Sequence, residues 1–205
     1  MTLPSGYFDD LYATSADPWG FSSRWYETRK YAISLALLPA ERYGDAFEAG
    51  CSIGVFTQLL APRCDRLLAC DGAGAAVRSA AARTACWPHV EVEQRVLPGQ
   101  WPAGQFDLIV FSEILYYFGG RELDRVLERG AGSLRPGGAL LAVHWRHPVA
   151  DYPRTGDDVH QALARLAGQA GLARLVDHRE PDFLAEVYIR TDGQPVSVAQ
   201  ATGLA

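Results

Sequence analysis

The sequence predicts an α/β protein built on a single doubly wound sheet, seven-stranded and mostly parallel, with its last strand antiparallel. Short apolar runs alternate with helix-length segments between Asp45 and Trp145, a pattern typical of parallel βαβ units. Two further apolar runs near the C-terminus are separated only by REPD, residues 179–182. So short a connection joins antiparallel strands. The length of 205 residues fits one domain.

The first 22 residues are dense in aromatic side chains but have no clean helical periodicity. We therefore expect a short helix and a loop, and we interpret residues 1–22 as a lid over a ligand site. Hydrophobic docking of the segment onto the domain would give the same composition, so this alternative stays open. Tyr7 and Trp19 are the lid residues that we expect to contact a substrate.

The remaining elements follow from start and stop signals and from apolar periodicity. Ser23, Glu27 and Pro39 delimit a helix over residues 23–38. Strands are predicted at 45–49, 66–70, 90–93, 106–112 and 139–145, with helices at 54–61, 73–85 and 120–134. A helix at 157–170 and strands at 172–178 and 183–190 complete a domain of residues 23–190. Residues 191–205 are expected to form a disordered tail.

Composition excludes several classes of function. A net charge of -5 without a run of Lys or Arg disfavours a nucleic-acid partner. The start lacks a basic stretch followed by an apolar one, and no apolar run is long enough to cross a bilayer, so we expect a cytoplasmic protein without a membrane partner. The four cysteines show no C-x-x-C pair, so we expect reduced thiols and no metal. A monomer or homodimer is expected.

The segment DAFEAGCSIGVF predicts a turn between the first strand and the next helix, with Glu48, Gly50, Ser52 and Gly54 around it. The exposed N–H groups at such a helix end attract acidic or oxygen-rich ligands. A dinucleotide fingerprint requires glycine at its first, third and sixth positions. Here the sixth position is Val55, which makes an NAD-dependent oxidoreductase the weaker interpretation.

A second acid, Asp71, ends the second strand at the distance from the glycine turn where a carboxylate can accept the hydroxyls of a ribose. Together with FDLIVFSE at 106–113 and LRPGG at 134–138, these motifs resemble class I methyltransferases that use S-adenosylmethionine. Four segments are similar to the nodulation protein S type of N-methyltransferase, which methylates the free amine of a deacetylated chitooligosaccharide. They are DPWGF, ETRKYAISLALLP, FEAGCSIGVFTQLLAPRCDRLLACD and FDLIVFSEILYYF.

The resemblance implies S-adenosylmethionine as the cofactor. It implies that Gly50 and Gly54 let the backbone pass the methionine portion, that Glu48 orients the ammonium group and that Asp71 holds the ribose. Arg29 is a candidate partner of the cofactor carboxylate, with a surface ion pair as the alternative. The remaining implied cofactor contacts are Cys51, Ser52, Gly72, Val96, Leu97 and Ser112.

Candidate catalytic residues follow strands four and five, because reacting atoms gather beyond the carboxyl ends of the strands in open α/β sheets. Glu113 could bind a substrate ammonium or accept its proton. His144 or His147 could be a general base. Tyr117, with Tyr116 beside it, could enclose the sulfonium. Trp145 and Arg146 are expected to face the substrate.

These residues predict a small-molecule methyltransferase that acts on the nitrogen of an amino sugar or a related polar amine. Oxygen methylation is the alternative acceptor chemistry. A pseudo-enzyme that binds S-adenosylmethionine without turnover is the alternative outside catalysis, and the NAD-dependent oxidoreductase is the alternative within it.

Overall fold

The computed structural model describes residues 2–4 and 6–205. Its strands are β1 Tyr43–Ala49, β2 Cys64–Asp71, β3 Val90–Gln94, β4 Phe106–Ser112, β5 Leu134–Trp145, β6 Leu172–Arg179 and β7 Phe183–Arg190. Its helices are α1 Gly6–Thr14, α2 Trp25–Leu37, α3 Val55–Leu60, α4 Gly74–Thr84, α5 Gly120–Ser133, α6 Gly156–Ala170 and α7 Val198–Ala201. All predicted strands and helices are present, with ends shifted by a few residues.

The strands form one seven-stranded sheet in the order β3-β2-β1-β4-β5-β7-β6. Strands β1 to β5 pair in parallel, whereas β7 lies antiparallel between β5 and β6. The predicted fold class is thereby confirmed. The strand order reverses between β1 and β4, and the carboxyl ends of these neighbours open a crevice of the kind in which α/β proteins bind ligands.

Apolar side chains cover both faces of the sheet, as expected for parallel strands. On one face, Phe47 and Phe111 are fully buried in the cluster that includes α5 and α6. On the other, Leu108 and Val110 are fully buried in the cluster that includes side chains of α2 and α3. The central strands are thus held by packing on both faces, which fixes the positions of the turns that follow them.

Two predicted boundaries differ for local reasons. The helix predicted at 54–61 ends at Leu60 and continues as a 3₁₀ turn over Ala61–Arg63, because Pro62 cannot donate the hydrogen bond that an α-helix needs. In the predicted tail, Ser197 and Gln200 form a reciprocal capping box at α7, so this short stretch has helical structure.

Among the helices of the described ranges, none is both long and apolar enough to span a membrane.

Candidate functional site

A cavity of about 320 Å³ lies at the carboxyl ends of the central strands. This volume falls within the usual range for small-molecule sites. Segments following β1, β2, β3 and β4 line it, together with the N-terminal segment. Its acidic lining residues are Glu48, Asp71, Glu113 and Glu122, and Arg95 is the basic one.

The turn after β1 has unusual backbone geometry. Gly50 has a φ of 71°, and a Cβ there would lie 2.5 Å from Cδ1 of Ile114, so a larger residue would collide with the neighbouring loop. Ser52 has a φ of 50°, a conformation that costs a non-glycine residue energy and is found most often at functional sites. Gly54, with a φ of 77°, begins α3 without lining the cavity.

Glu48 is a buried acid at the edge of the cavity, the penultimate residue of β1 and two residues before Gly50. Its side-chain atom Oε2 is inaccessible to solvent and accepts no hydrogen bond from the part of the chain that the structure describes. Burial raises the pKa of Glu48 to about 8; the neighbouring Thr57 hydroxyl opposes this rise, and the negative charge of Asp71 adds to it. A buried acceptor without a donor is costly, so this position favours a ligand that brings its own donor.

Asp71 holds together the turns after β1 and β2. Its Oδ2 accepts the Ser52 N–H at 2.9 Å and its Oδ1 accepts the Ala73 N–H at 2.9 Å. Burial raises the pKa of this carboxyl, although the backbone N–H donors oppose the rise. Each carboxylate oxygen has a second lone pair that can accept from a ligand hydroxyl. The cavity therefore offers two acids at the carboxyl ends of neighbouring strands: Glu48, with one oxygen that has no partner among the described residues, and Asp71, which is fixed in place.

The N-terminal segment covers this cavity. The hydroxyls of Tyr12 and Ser52 lie 2.5 Å apart, and Phe8 packs edge-on against Tyr117 with ring centroids 4.8 Å apart. Leu3 N–H donates to the Tyr117 carbonyl at 3.1 Å. Trp19 also lines the cavity. The placement supports the lid interpretation of residues 1–22, whose opening and closing stay a prediction; of this segment, Met1 and Ser5 lie outside the described residues.

The structure corrects the role expected for Glu113. Its Oε1 pairs with Nζ of Lys30 at 2.6 Å, while its Oε2 accepts the Trp145 N–H at 3.0 Å and the Tyr116 hydroxyl. Lys30 also pairs with Glu27 at 2.9 Å. Three protein donors thus hold the Glu113 carboxylate in place, and the observed role of this side chain is to position the elements around it. It lines the cavity at a φ of 57° and ties β4 to α2 and β5.

The two candidate histidine bases also lie elsewhere. His144 is fully buried, and its Nε2 accepts the Leu115 N–H at 3.2 Å. Burial lowers its pKa well below the usual value, with His160 and Lys30 adding to the effect. His147 is exposed and lies 2.8 Å from Asp182, outside the cavity. Neither imidazole lines the cavity.

The other predicted contacts fall into two groups, those that line the cavity and those that lie outside it. Cys51, Gly72, Val96, Leu97, Ser112, Tyr117 and Trp19 line the cavity as expected. Arg29, in contrast, forms a bidentate surface pair with Glu180, and Arg146 pairs with Asp157. Both guanidinium groups pair with carboxylates at the protein surface, so neither is available to a ligand in the cavity. Tyr7, Tyr116 and Trp145 also lie outside it.

Sequence reasoning missed three participants. Lys30 is the partner of Glu113 although it follows Glu27 by three residues, a spacing typical of surface pairs. Tyr12 is one of several aromatic residues in the N-terminal segment, and nothing in the sequence distinguishes it from the others. Glu122, in the first turn of α5, lines the cavity and accepts the hydroxyl of Thr2. The sequence held no separate signal for Glu122, because its helix face looks uniformly solvated.

Comparison with known proteins agrees with this geometry. A family model described as nodulation protein S (NodS) matches residues 9–150. Nodulation protein S of Bradyrhizobium diazoefficiens is 38% identical over 104 residues, which are 49% of this chain and 49% of that protein. Nodulation protein S of Rhizobium tropici is 32% identical over 127 residues, 61% of this chain and 53% of the relative. The chain thus spans about half the length of the curated relatives that it matches.

Two crystal structures extend the comparison over most of the chain. A candidate methyltransferase from Pseudomonas syringae is 46% identical, with a TM-score of 0.71 over 82% of this chain and 100% of the other. N-methyltransferase NodS from Bradyrhizobium japonicum WM9, in complex with S-adenosyl-L-homocysteine, has a TM-score of 0.78 and 25% identity over 89% of this chain and 95% of the other.

Proposed function

The chain belongs to the nodulation protein S family, and on this premise we propose that it is an S-adenosylmethionine-dependent methyltransferase that acts on the amine of a small polar acceptor. The observation that supports the cofactor most strongly is the buried carboxyl group of Glu48 at the cavity edge, whose Oε2 has no hydrogen-bond partner among the described residues. S-adenosylmethionine carries an ammonium group on its methionine portion, which is the donor that this atom lacks. The residues present therefore fit the cofactor.

When bound, the cofactor supplies an electrophilic methyl group on a sulfonium. The protein has to hold it, orient an acceptor and exclude water. Glu48 holds the ammonium, and the carboxylate of Asp71, already fixed by Ser52 and Ala73, accepts ribose hydroxyls. Gly50 permits the left-handed turn that packs against Ile114 and lines the cavity where the methionine portion would lie. The N-terminal segment excludes water over the cavity.

Nitrogen is favoured over oxygen as the acceptor atom by the state of the candidate bases. A hydroxyl acceptor needs a general base, because its own pKa lies far above neutrality. Glu113 is already paired with the Lys30 ammonium, His144 is buried and His147 lies outside the cavity. An amine has a neutral form with a lone pair at mildly alkaline pH and reacts without such a base. Tyr117 lines the cavity, but burial raises its pKa well above the usual value, which makes it a hydrogen-bond donor.

Labelled S-adenosylmethionine tests the proposal on three matched acceptors: an amino sugar, its N-acetylated form and the analogue with a hydroxyl in place of the amine. We expect label on the amino sugar alone, at a rate that rises with pH as the amine loses its proton. Methylation of the hydroxyl analogue would favour oxygen transfer. Binding of S-adenosylhomocysteine without transfer to any acceptor would favour a protein that binds the cofactor without turnover.

Removing the Asp71 carboxylate is expected to weaken S-adenosylhomocysteine binding at least tenfold. Hydrogen bonds to a charged group are each worth about 1.5–3 kcal/mol, and tenfold in affinity corresponds to about 1.4 kcal/mol. Calorimetric titration of Asp71→Ala measures the change. The matched control is Asp65→Ala on the same strand, an exposed carboxylate that pairs with Arg42 at the surface. Equal affinity of both variants, with the fold intact by circular dichroism, would remove Asp71 from the site.

A further inference from the structure

A continuous chain of polar side chains crosses the apolar layer between the sheet and α6. His144 Nδ1 lies 3.1 Å from His160 Nε2, and His160 Nδ1 lies 2.9 Å from Glu186 Oε2. All three side chains are almost fully buried. On β5 and β7 they share one face, because Glu186 pairs with Ala142, two residues before His144, and α6 covers that face with His160.

The partners at the two ends of this series of hydrogen bonds determine which nitrogen of each imidazole carries the proton. The Leu115 N–H can only donate, so Nε2 of His144 must be bare and the proton of this neutral imidazole sits on Nδ1. That proton is donated to His160 Nε2, which leaves the His160 proton on Nδ1, facing Glu186. At the other end, Arg174 donates to Glu186 Oε1 at 2.9 Å and Tyr188 donates to Oε2 at 3.0 Å.

The inner end of the chain reaches the candidate site. Leu115 begins the 3₁₀ turn Leu115–Tyr117, directly after Glu113 and Ile114, which both line the cavity. Tyr117 on the same turn lines it too. The His144 acceptor is thus a fixed anchor for the segment that forms the β4 side of the cavity.

We propose that His144, His160 and Glu186 are positioning residues: the Glu186 carboxylate orders the two imidazoles so that His144 Nε2 accepts from Leu115 and holds the 113–117 turn in place for methyl transfer. The catalytic consequence rests on the proposed function. The proton order and the anchoring of Leu115 do not, and they are measured independently of activity.

Glu186→Gln is the decisive variant, because glutamine keeps the shape of the side chain but reverses which atom donates and which accepts in each hydrogen bond between Glu186, His160 and His144. Arg174 and Arg179 both donate to Oε1 of Glu186, so the glutamine oxygen will face them and its NH₂ will face His160. His160 Nδ1 must then accept, its proton moves to Nε2, and His144 is forced to carry its proton on Nε2, opposite the Leu115 N–H. Two donors then face each other.

Nitrogen-15 NMR of the histidine side chains reads the tautomers directly. In the wild type at pH 7.5 we expect His144 and His160 both protonated at Nδ1, and the Leu115 amide protected from hydrogen exchange. In Glu186→Gln we expect Nε2-protonated rings, at least tenfold faster exchange at Leu115 and a turnover lowered at least tenfold at saturating substrates. The matched control is Glu180→Gln, a carboxylate on the adjacent turn that pairs with Arg29 and His178, for which we expect no change.

A wild-type His144 protonated at Nε2 would overturn the proposal without any variant, even if Glu186→Gln did not fold. Unchanged tautomers and Leu115 exchange in a folded Glu186→Gln protein would overturn it as well, as would reordered tautomers with unchanged turnover. If the wild type transfers no methyl group but the tautomers and Leu115 respond as expected, the proposed function fails while the anchoring of the turn stands.

Discussion

Glu48→Gln is expected to bind S-adenosylhomocysteine about 100-fold more weakly than the wild type, the loss of one well-formed bond between a carboxylate and an ammonium. Burial raises the pKa of Glu48 to about 8, with the Asp71 charge adding to the rise. Below pH 8 most of the ligand-free protein therefore holds a proton on Glu48. Because the ammonium needs the carboxylate form, ligand binding should expel that proton, and the affinity of the wild type should increase with pH up to about 8.

Calorimetric titration in buffers of different ionisation enthalpy measures how many protons the protein releases when it binds S-adenosylhomocysteine. We expect the wild type to release about one proton per bound ligand at pH 7 and Glu48→Gln to release none, with an affinity that no longer changes between pH 6 and 8. Glu91→Gln, an exposed carboxylate on β3, is the matched control and should behave as the wild type. No proton release by the wild type at pH 7 would show that Glu48 does not take the ammonium.

Lys30→Met should destabilise the protein strongly, with a loss of about 3–5 kcal/mol in the free energy of unfolding. Lys30 is 2% exposed and lies between the carboxylates of Glu27 and Glu113, with the Tyr26 ring 5.1 Å from its ammonium. Methionine keeps the volume but leaves two buried carboxylates facing each other without a cation. Urea denaturation measures the change.

The pH dependence separates this mechanism from simple loss of packing. Burial raises the pKa of Glu27, and Lys30 opposes the rise; in Lys30→Met that opposition is gone. A pKa that is higher in the folded than in the unfolded protein means that the folded protein binds more protons, so the stability of the variant should improve as the pH falls from 8 to 5.

Two further variants control the experiment. Arg29→Met replaces the neighbouring cation on α2, which is 43% exposed and pairs with Glu180, and should change the stability far less than Lys30→Met. The double variant of Lys30→Met with Glu113→Gln removes one of the two facing charges and should recover part of the loss. A loss in Lys30→Met that is the same at pH 5 and pH 8 would contradict the electrostatic explanation.

The sheet and the cofactor side of the site could be predicted from the sequence because both depend on local patterns. Alternating apolar runs specify βαβ units wherever they occur. The positions of Glu48, Gly50 and Asp71 follow from strand ends, and parallel strands bring their carboxyl ends to one edge of the sheet. These residues all line the cavity.

The acceptor side could not be predicted in the same way, because its contacts join residues far apart in sequence. Glu113 was expected to be free, but its partner Lys30 lies 83 positions away, in a helix whose Glu27 and Lys30 spacing resembles a solvated surface pair. His144 is one of two candidate general bases in the sequence, but its side chain lies beneath α6 in contact with His160, which in turn contacts Glu186. Pairing of polar groups across elements decides these orientations, and periodicity does not reveal it.

Titration of the wild-type protein with S-adenosylhomocysteine and, separately, with NAD is the most direct test of the central claim that the cavity takes an S-adenosyl cofactor. Amide resonances of Gly50, Ser52 and Gly72 report on the two turns that enclose it. We predict saturable binding of S-adenosylhomocysteine that shifts all three resonances, and no shift with NAD at the same concentrations. Saturable shifts with NAD, or S-adenosylhomocysteine binding that leaves these three amides unmoved, would contradict the account.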